Sequence, residues 1–406
     1  MSVRDRWFFC SVYVMTALVV FACVVWSNLI DLSVYTAGGR AILHGTPLYS
    51  AGGIDGFPFT YTPFAAVLFV PLALVGPLGP TVITFASLAA LARASLLIAR
   101  FVAPATGRSV SVVAHVVFLV ALLSEPMTET LRLGQVNALV LWMVVESSAC
   151  RPGSRRVALL GIAAAIKLTP LVFIGLLVLS RRWKDAAVSG GVFLATVAVG
   201  WLVQGEEAHR YWTELVGNAS RVGAVSFVGN QSLNGLLWRL LGQGGNQSVW
   251  LLGSLALGVG CYVSATRWLA RGRWLPAVGV VGLFSLLASP ISWSHHWVMA
   301  IPALCALSMA PARGLRWFGW AGAALLLSRV IWVVPNRGDV EYQHHGLQVL
   351  VGNAYVLYGI TAVFLMACWS IRTGSSGGRV SGRASATIQV DEDPVDVVAP
   401  PVLPAG

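Results

Sequence analysis

Apolar runs of bilayer-crossing length follow one another from Trp7 to Cys368, and very little charge falls inside them. Lipid offers no partner for a backbone N–H or C=O, so runs of this kind fold as helices that satisfy their own peptide groups. Only 11% of the 406 residues are charged and 57% are apolar, against about 25% charged in a soluble domain. An ordinary soluble globule is excluded, and the expected class is an all-α polytopic transmembrane bundle. The six cysteines stand alone in or beside apolar runs with no paired spacing, so neither a metal site nor a disulfide framework is expected.

A helix needs about 20 apolar residues to cross, fewer beside protein or a water-filled cavity. The candidate spans are 8–29, 80–102, 110–124, 134–150, 156–166, 168–180, 186–205, 247–268, 275–288, 296–311, 317–334 and 347–371, about twelve in all. The run from Trp7 to Leu29 exceeds a signal-peptide core and lacks a small-residue cleavage site, so it is read as a retained span. The net charge of +11 sits in short clusters between the spans, which the positive-inside rule explains without nucleic acid. These clusters are Arg4/Arg6, Arg100/Arg108, Arg151/Arg155/Arg156, Arg181/Arg182/Lys184, Arg267/Arg271/Arg273, Arg313/Arg316 and Arg372/Arg379.

All of them face the cytoplasm together under two conditions. Segment 57–79 must be juxtamembrane or re-entrant, as its prolines suggest, and 156–180 must be a hairpin of two short helices broken near Lys167-Leu-Thr-Pro170. Short helices at membrane depth need a protein-lined cavity beside them, so the charge pattern predicts a polar cavity opening outward from an inner (plasma) membrane. Residues 1–372 form the expected membrane domain. Residues 373–406, rich in Gly, Ser, Pro and acidic residues, read as a disordered cytoplasmic tail. No internal repeat is legible, which argues against transporters built from duplicated halves.

With that topology the unusual residues collect on the outward side. Asp31 and Tyr35 follow the first span, Tyr61 lies in the first outer loop, and Glu125, Glu129, Arg132, Gln135 and Asn137 border the third and fourth spans. Lys167, one of only two lysines, tips the hairpin; Asn230 and Gln231 lie in the long loop 206–246; Trp293, His295 and His296 lie between the ninth and tenth spans. Ionisable groups at membrane depth are costly, so a convergent set reads as a site. Each has a plainer alternative. Asp31, the histidines and the tryptophans also fit an interfacial belt, Lys167 fits a snorkelling cation, and Glu129 and Arg132 fit an i,i+3 ion pair. Adjacent histidines on a helix diverge by about 100° and do not suit one metal ion.

The motifs D-L-x-V-Y, F-T-Y-x-P-F, G-Q-x-N, K-L-T-P, N-Q-S and S-P-I-S-W-x-H-H-W, in order from Asp31 to Trp297, resemble actinobacterial members of glycosyltransferase family 87. The resemblance implies a GT-C type membrane enzyme with an outward site, a polyprenyl-phosphate sugar donor, a glycolipid acceptor, and no nucleotide, cofactor or obligatory metal. It implies that Asp31 is the catalytic carboxylate and that His295 is an active-site histidine. The family's mannosyltransferases imply mannosyl transfer to a phosphatidylinositol mannoside or lipoglycan, α-1,2 by expectation, through an inverting displacement. On that reading Lys167 contacts the donor phosphate with Arg132 or His296. Tyr35, Tyr61, Gln135, Asn137, Asn230, Gln231 and Trp293 hold sugar, and Glu129 belongs to the same substrate-binding set. An arabinosyl- or other polyprenyl-phosphate-sugar transferase, and a transporter of lipid-linked sugars, are the competing readings.

Overall fold

The computed structural model describes residue 10 and residues 13–18, 20–22, 27–50, 56–242, 247–336 and 339–375. Among these every regular element is helical, apart from one isolated bridge between Asn230 and Trp293. The first expected span, 8–29, is described only in part, with 13–18 and 20–22 helical, and the expected tail lies outside the described residues from 376 onward.

Four helical stretches among the described residues are long and apolar enough to cross a membrane alone: Gly76–Thr106, Trp183–Leu215, Gln247–Ala270 and Ala354–Arg372. A bent pair, Val110–Leu123 and Glu125–Leu133, turns by 66° and makes a fifth if counted as one span. The chain is therefore an all-helical membrane protein. Most of the remaining expected spans are helices of 8 to 16 residues, about 12–24 Å long against a hydrocarbon core of about 30 Å. They are short because polar or proline-containing breaks interrupt the apolar runs, and these breaks build the site.

The chain order places α1 (Ile30–His44) against two short helices, α2 (Pro63–Leu68) and α3 (Val70–Leu74). Gly39 permits that approach: a β-carbon there would lie 2.6 Å from the Phe69 carbonyl oxygen. Residues 57–75 thus contain only helical pieces too short to span, and Gly76–Leu78 leads into the long helix that begins at Gly79. The long α4 (Gly79–Thr106) packs on α5 (Val110–Leu123) and, past α6 (Glu125–Leu133), on α7 (Asn137–Ala149). The hairpin consists of α8 (Ala158–Ile166) and α9 (Leu171–Leu179), and α10 (Trp183–Arg210) packs against both. After α11 (Leu233–Leu241) come α12 (Gln247–Ala270), α13 (Trp274–Ala288), a 3₁₀ segment (Ser294–Ala300), α14 (Ile301–Ser308), α15 (Arg313–Ser328), α16 (Leu347–Gly352) and α17 (Ala354–Ser375).

Two buried clusters hold these helices. The larger runs through α4, α5, α7, α13, α14 and α17, with Trp268, Trp297 and Tyr355 fully buried. The smaller joins α1 to 59–69 through Tyr35, Phe59 and Phe69, where Tyr35 stacks on Phe69 at 4.2 Å. One buried charge is paired between helices: Glu146 of α7 accepts two bonds from Arg93 of α4, at 2.7 and 2.8 Å, and one from Trp142.

Candidate active site

Four helix ends bring the polar residues together. Leu29 adopts a left-handed conformation, φ 48°, and its N–H donates to the Arg132 carbonyl at 3.2 Å. That bond fixes the start of α1 against the end of α6, so Asp31 falls in the first turn of α1, where the helix dipole favours a carboxylate. At the end of α6, Gly134 takes φ 71°, and a β-carbon there would lie 2.7 Å from Leu32 Cβ. Only glycine satisfies both demands, and the turn it makes delivers Gln135 and Asn137 to the start of α7. Lys167 is extended, φ −133° and ψ 135°, in the break before Pro170. Thr62 steadies that break by capping α2 and donating to the Ala165 carbonyl. On the fourth side Ser289–Trp293 runs extended beside the loop 228–232, with Gln231 N–H donating to the Ser292 carbonyl at 2.8 Å.

These ends enclose a cavity of about 270 Å³, lined among others by Asp31, Tyr61, Gln135, Asn137, Lys167, Trp293 and His296. In its wall the Lys167 ammonium donates to Asn137 Oδ1 at 2.7 Å and Gln135 Oε1 at 3.0 Å and lies 3.3 Å from His296 Nε2. It also stands 5.6 Å from the Tyr61 ring centre, a cation–π distance. Tyr35 hydroxyl donates to Gln135 Oε1 at 2.7 Å and lies 2.9 Å from Tyr61 hydroxyl, which orients the Gln135 amide from behind. Burial raises the Asp31 carboxyl above its ordinary value, opposed by Lys167 and a hydrogen bond from Gln135. Burial likewise pushes the Lys167 ammonium down to about 8, opposed by Asp31. A carboxylate of raised basicity beside a cation is the pair that proton removal and anion stabilisation require.

Not every residue singled out from the sequence reaches this cavity. Tyr35 is fully buried behind the wall. Glu129 and Arg132 form the i,i+3 pair at 2.7 Å away from the lining, and Glu129 also meets Arg329 at 3.5 Å. Asn230 and Gln231 are fully buried, and their amides are spent on the backbone. Asn230 Oδ1 accepts from Ser292 N–H at 2.9 Å; Gln231 donates to the Val228 and Gly352 carbonyls at 2.6 and 2.7 Å and accepts from Tyr355 N–H at 3.2 Å. They shape the wall instead of touching its contents. Of the histidine pair, His296 lines the cavity, whereas His295 is buried in the bundle, its carbonyl accepting from Asn137 Nδ2 at 3.1 Å. The 3₁₀ turn that sends the two rings apart, 86° between their planes, decides which one faces in.

Two residues enter that the sequence reading missed. Arg221 lines the cavity, donates to the Phe59 carbonyl at 3.1 Å and lies over the Tyr49 ring at 5.6 Å. Its signal was an arginine in a loop assigned to the side that the positive-inside rule leaves poor in cations. Thr62 caps α2 and bonds α8, and its signal was the Thr-Pro cap pair.

The chain is thus a helical membrane protein in which a carboxylate and an ammonium line one cavity. The profile of glycosyltransferase family 87 matches residues 59–290, more than half of the chain. A polyprenol-phosphate-mannose-dependent alpha-(1-2)-phosphatidylinositol pentamannoside mannosyltransferase of Mycobacterium tuberculosis (strain CDC 1551 / Oshkosh) is 37% identical over 325 residues, 76% of this chain and 73% of that protein. Its namesake in Mycolicibacterium smegmatis is 37% identical over 324 residues, 76% of this chain and 77% of that one. A polyprenol-phosphate-mannose-dependent alpha-(1-2)-phosphatidylinositol mannoside mannosyltransferase of Mycobacterium tuberculosis (strain ATCC 25618 / H37Rv) is 31% identical over 359 residues, 82% of this chain and 83% of that protein. The chain belongs to glycosyltransferase family 87, and it is a membrane glycosyltransferase.

Proposed function

We propose that this enzyme transfers mannose from a polyprenyl-phosphate mannose to a mannosylated phosphatidylinositol lipid or lipoglycan, forming an α-1,2 linkage by inversion. The presence of Asp31 and Lys167 in the wall of one cavity carries the reading, and the activities for which the 31–37% identical relatives are named support the donor and acceptor classes. The acceptor hydroxyl oxygen attacks the anomeric carbon and its proton passes to Asp31. The bond from that carbon to the phosphate oxygen breaks, and the electron pair stays on the polyprenyl phosphate. Lys167 receives that phosphate with His296 beside it, because an ammonium in a water-poor site stabilises an anion far better than in bulk water. Tyr61, Gln135, Asn137 and Trp293 hold the sugars, and the additional negative charge that the phosphate gains as the bond breaks develops beside Lys167.

The same reading places the cavity on the extracytoplasmic side of the plasma membrane. It takes residues 1–372 as one membrane domain with about twelve crossings, several of them broken or short, and 373–406 as a cytoplasmic tail. The basic clusters support this orientation. The test is Asp31→Asn in reconstituted membranes with labelled polyprenyl-phosphate mannose and phosphatidylinositol mannosides. Loss of a positioned base costs about 10²- to 10⁴-fold in rate. A folded Asp31→Asn protein that keeps most of its activity overturns the assignment, and transfer from a pentose donor only overturns the choice of mannose.

A further inference from the structure

A second cavity, about 340 Å³, lies between α5, α14 and α15 and has no contact with the reacting groups. Its walls are hydrocarbon along most of their length, among them Val113, Val117, Leu304 and Leu326. Val116 and Trp320, 37% and 45% exposed, stand on its rim, so it opens sideways where a membrane helix meets lipid.

Arginines stand at both ends of it: Arg108 lines one, and Arg329 and Arg132 lie beyond the other. Leu326 and Ser124 line that end; Arg329, the left-handed residue that ends α15, follows Leu326 by three positions, and Thr128 follows Ser124 by four, past the 66° bend between α5 and α6. The Arg329 guanidinium donates to Thr128 Oγ1 and pairs with Glu129 at 3.5 Å; Arg132 pairs with the same carboxylate at 2.7 Å. The two guanidiniums share one carboxylate, and their side chains are 48% and 34% exposed. The pair adjoins the reaction site, because the Arg132 carbonyl accepts from Leu29 N–H, two residues before Asp31.

We infer that this groove holds a hydrocarbon chain of the anionic lipid acceptor, whose phosphodiester lies against Arg329 and Arg132. The inference rests on the mannosyl-transfer reading. The donor's phosphate is the leaving group, so it must sit at the reacting carbon beside Lys167. The acceptor's phosphate is held apart from its reacting hydroxyl by the intervening sugars. Its cationic partner therefore belongs outside the reaction cavity but next to it, as the Arg329–Arg132 pair is. Guanidinium groups suit a phosphodiester because they offer paired donors at fixed spacing.

Two measurements test this. In steady-state transfer with the full chain in proteoliposomes, Arg329→Gln is expected to raise the acceptor KM about tenfold and leave the donor KM where it was. In native mass spectrometry of the purified protein, which needs no turnover, wild type is expected to retain phosphatidylinositol over phosphatidylcholine, and Arg329→Gln to lose that preference. Ala323→Trp, which fills the groove, is expected to lose lipid retention as well; Arg329→Gln keeps the test sound if that variant does not fold. An unchanged acceptor KM, a raised donor KM, or a preference abolished by Arg108→Gln at the opposite end of the groove overturns the inference. Retention that depends on Arg329 in a protein without mannosyl transfer supports the lipid site and overturns only the reading of the reaction.

Discussion

Lys167→Met tests the cation in the cavity wall, because methionine is close to lysine in length while removing its charge and its three donors. In the wild type the ammonium holds Asn137 Oδ1 at 2.7 Å and Gln135 Oε1 at 3.0 Å. Gln135 keeps the Tyr35 hydroxyl at 2.7 Å and stays oriented, whereas Asn137 loses its donor. One unmade bond to a buried acceptor costs about 1–3 kcal/mol of stability, so the variant is expected to fold with a lower unfolding temperature. A charge-assisted hydrogen bond to the departing phosphate is worth about 1.5–3 kcal/mol, which converts to about a 10- to 150-fold loss in donor kcat/KM. Initial rates against donor concentration at saturating acceptor measure it, with Lys167→Arg as the charge-keeping comparison. The reasoning is refuted if folded Lys167→Met protein keeps the wild-type donor kcat/KM, or if Lys167→Arg is no better than Lys167→Met.

The pH profile of donor kcat/KM should be bell-shaped. Asp31 must be ionised to take the proton, and since burial raises its pKa, activity is lost as pH falls through that raised value. Lys167 must be charged, and since burial pushes it down to about 8, activity is lost as pH rises past that point, by about tenfold per unit. Lys167→Arg should carry the alkaline limb upward, and a profile that stays flat above pH 8 would remove Lys167 from the phosphate role. Asn230→Ala should act on the scaffold: it removes the acceptor for Ser292 N–H at 2.9 Å and the donor to the Val225 carbonyl at 2.9 Å, costing about 2–5 kcal/mol. Thermal unfolding in detergent reads that loss, and a stable variant with a changed donor KM would instead make Asn230 a sugar ligand.

The class of the protein was legible because lipid imposes a strong rule on sequence. Long apolar runs have to be helices, and clusters of arginine mark one side of them. Pro170 announced the break at Lys167 for an equally local reason, since its ring cannot continue α8. The Glu129–Arg132 pair was readable as i,i+3 spacing on one helix. Five members of the cavity wall, Asp31, Gln135, Asn137, Lys167 and His296, were singled out because ionisable and amide groups are costly in apolar surroundings.

Which of those groups share the cavity depended on directions that no local spacing encodes. His295 and His296 are neighbours in the chain, and only the 3₁₀ turn between α13 and α14 sends one ring to the cavity and buries the other. Asn230 and Gln231 carry the same amides as Gln135 and Asn137. Tertiary packing alone spends the first pair on the backbone of 228–232, 292 and 352–356, while Lys167 claims the second. Arg221 enters across more than 150 residues from Phe59, a pairing fixed by how α10 and the loop after it fold over α2 and the residues before it. Solvent preference determines that a chain like this becomes helices in a membrane, and it acts residue by residue. The site is decided by which helix ends meet, and that is settled only when the whole bundle packs.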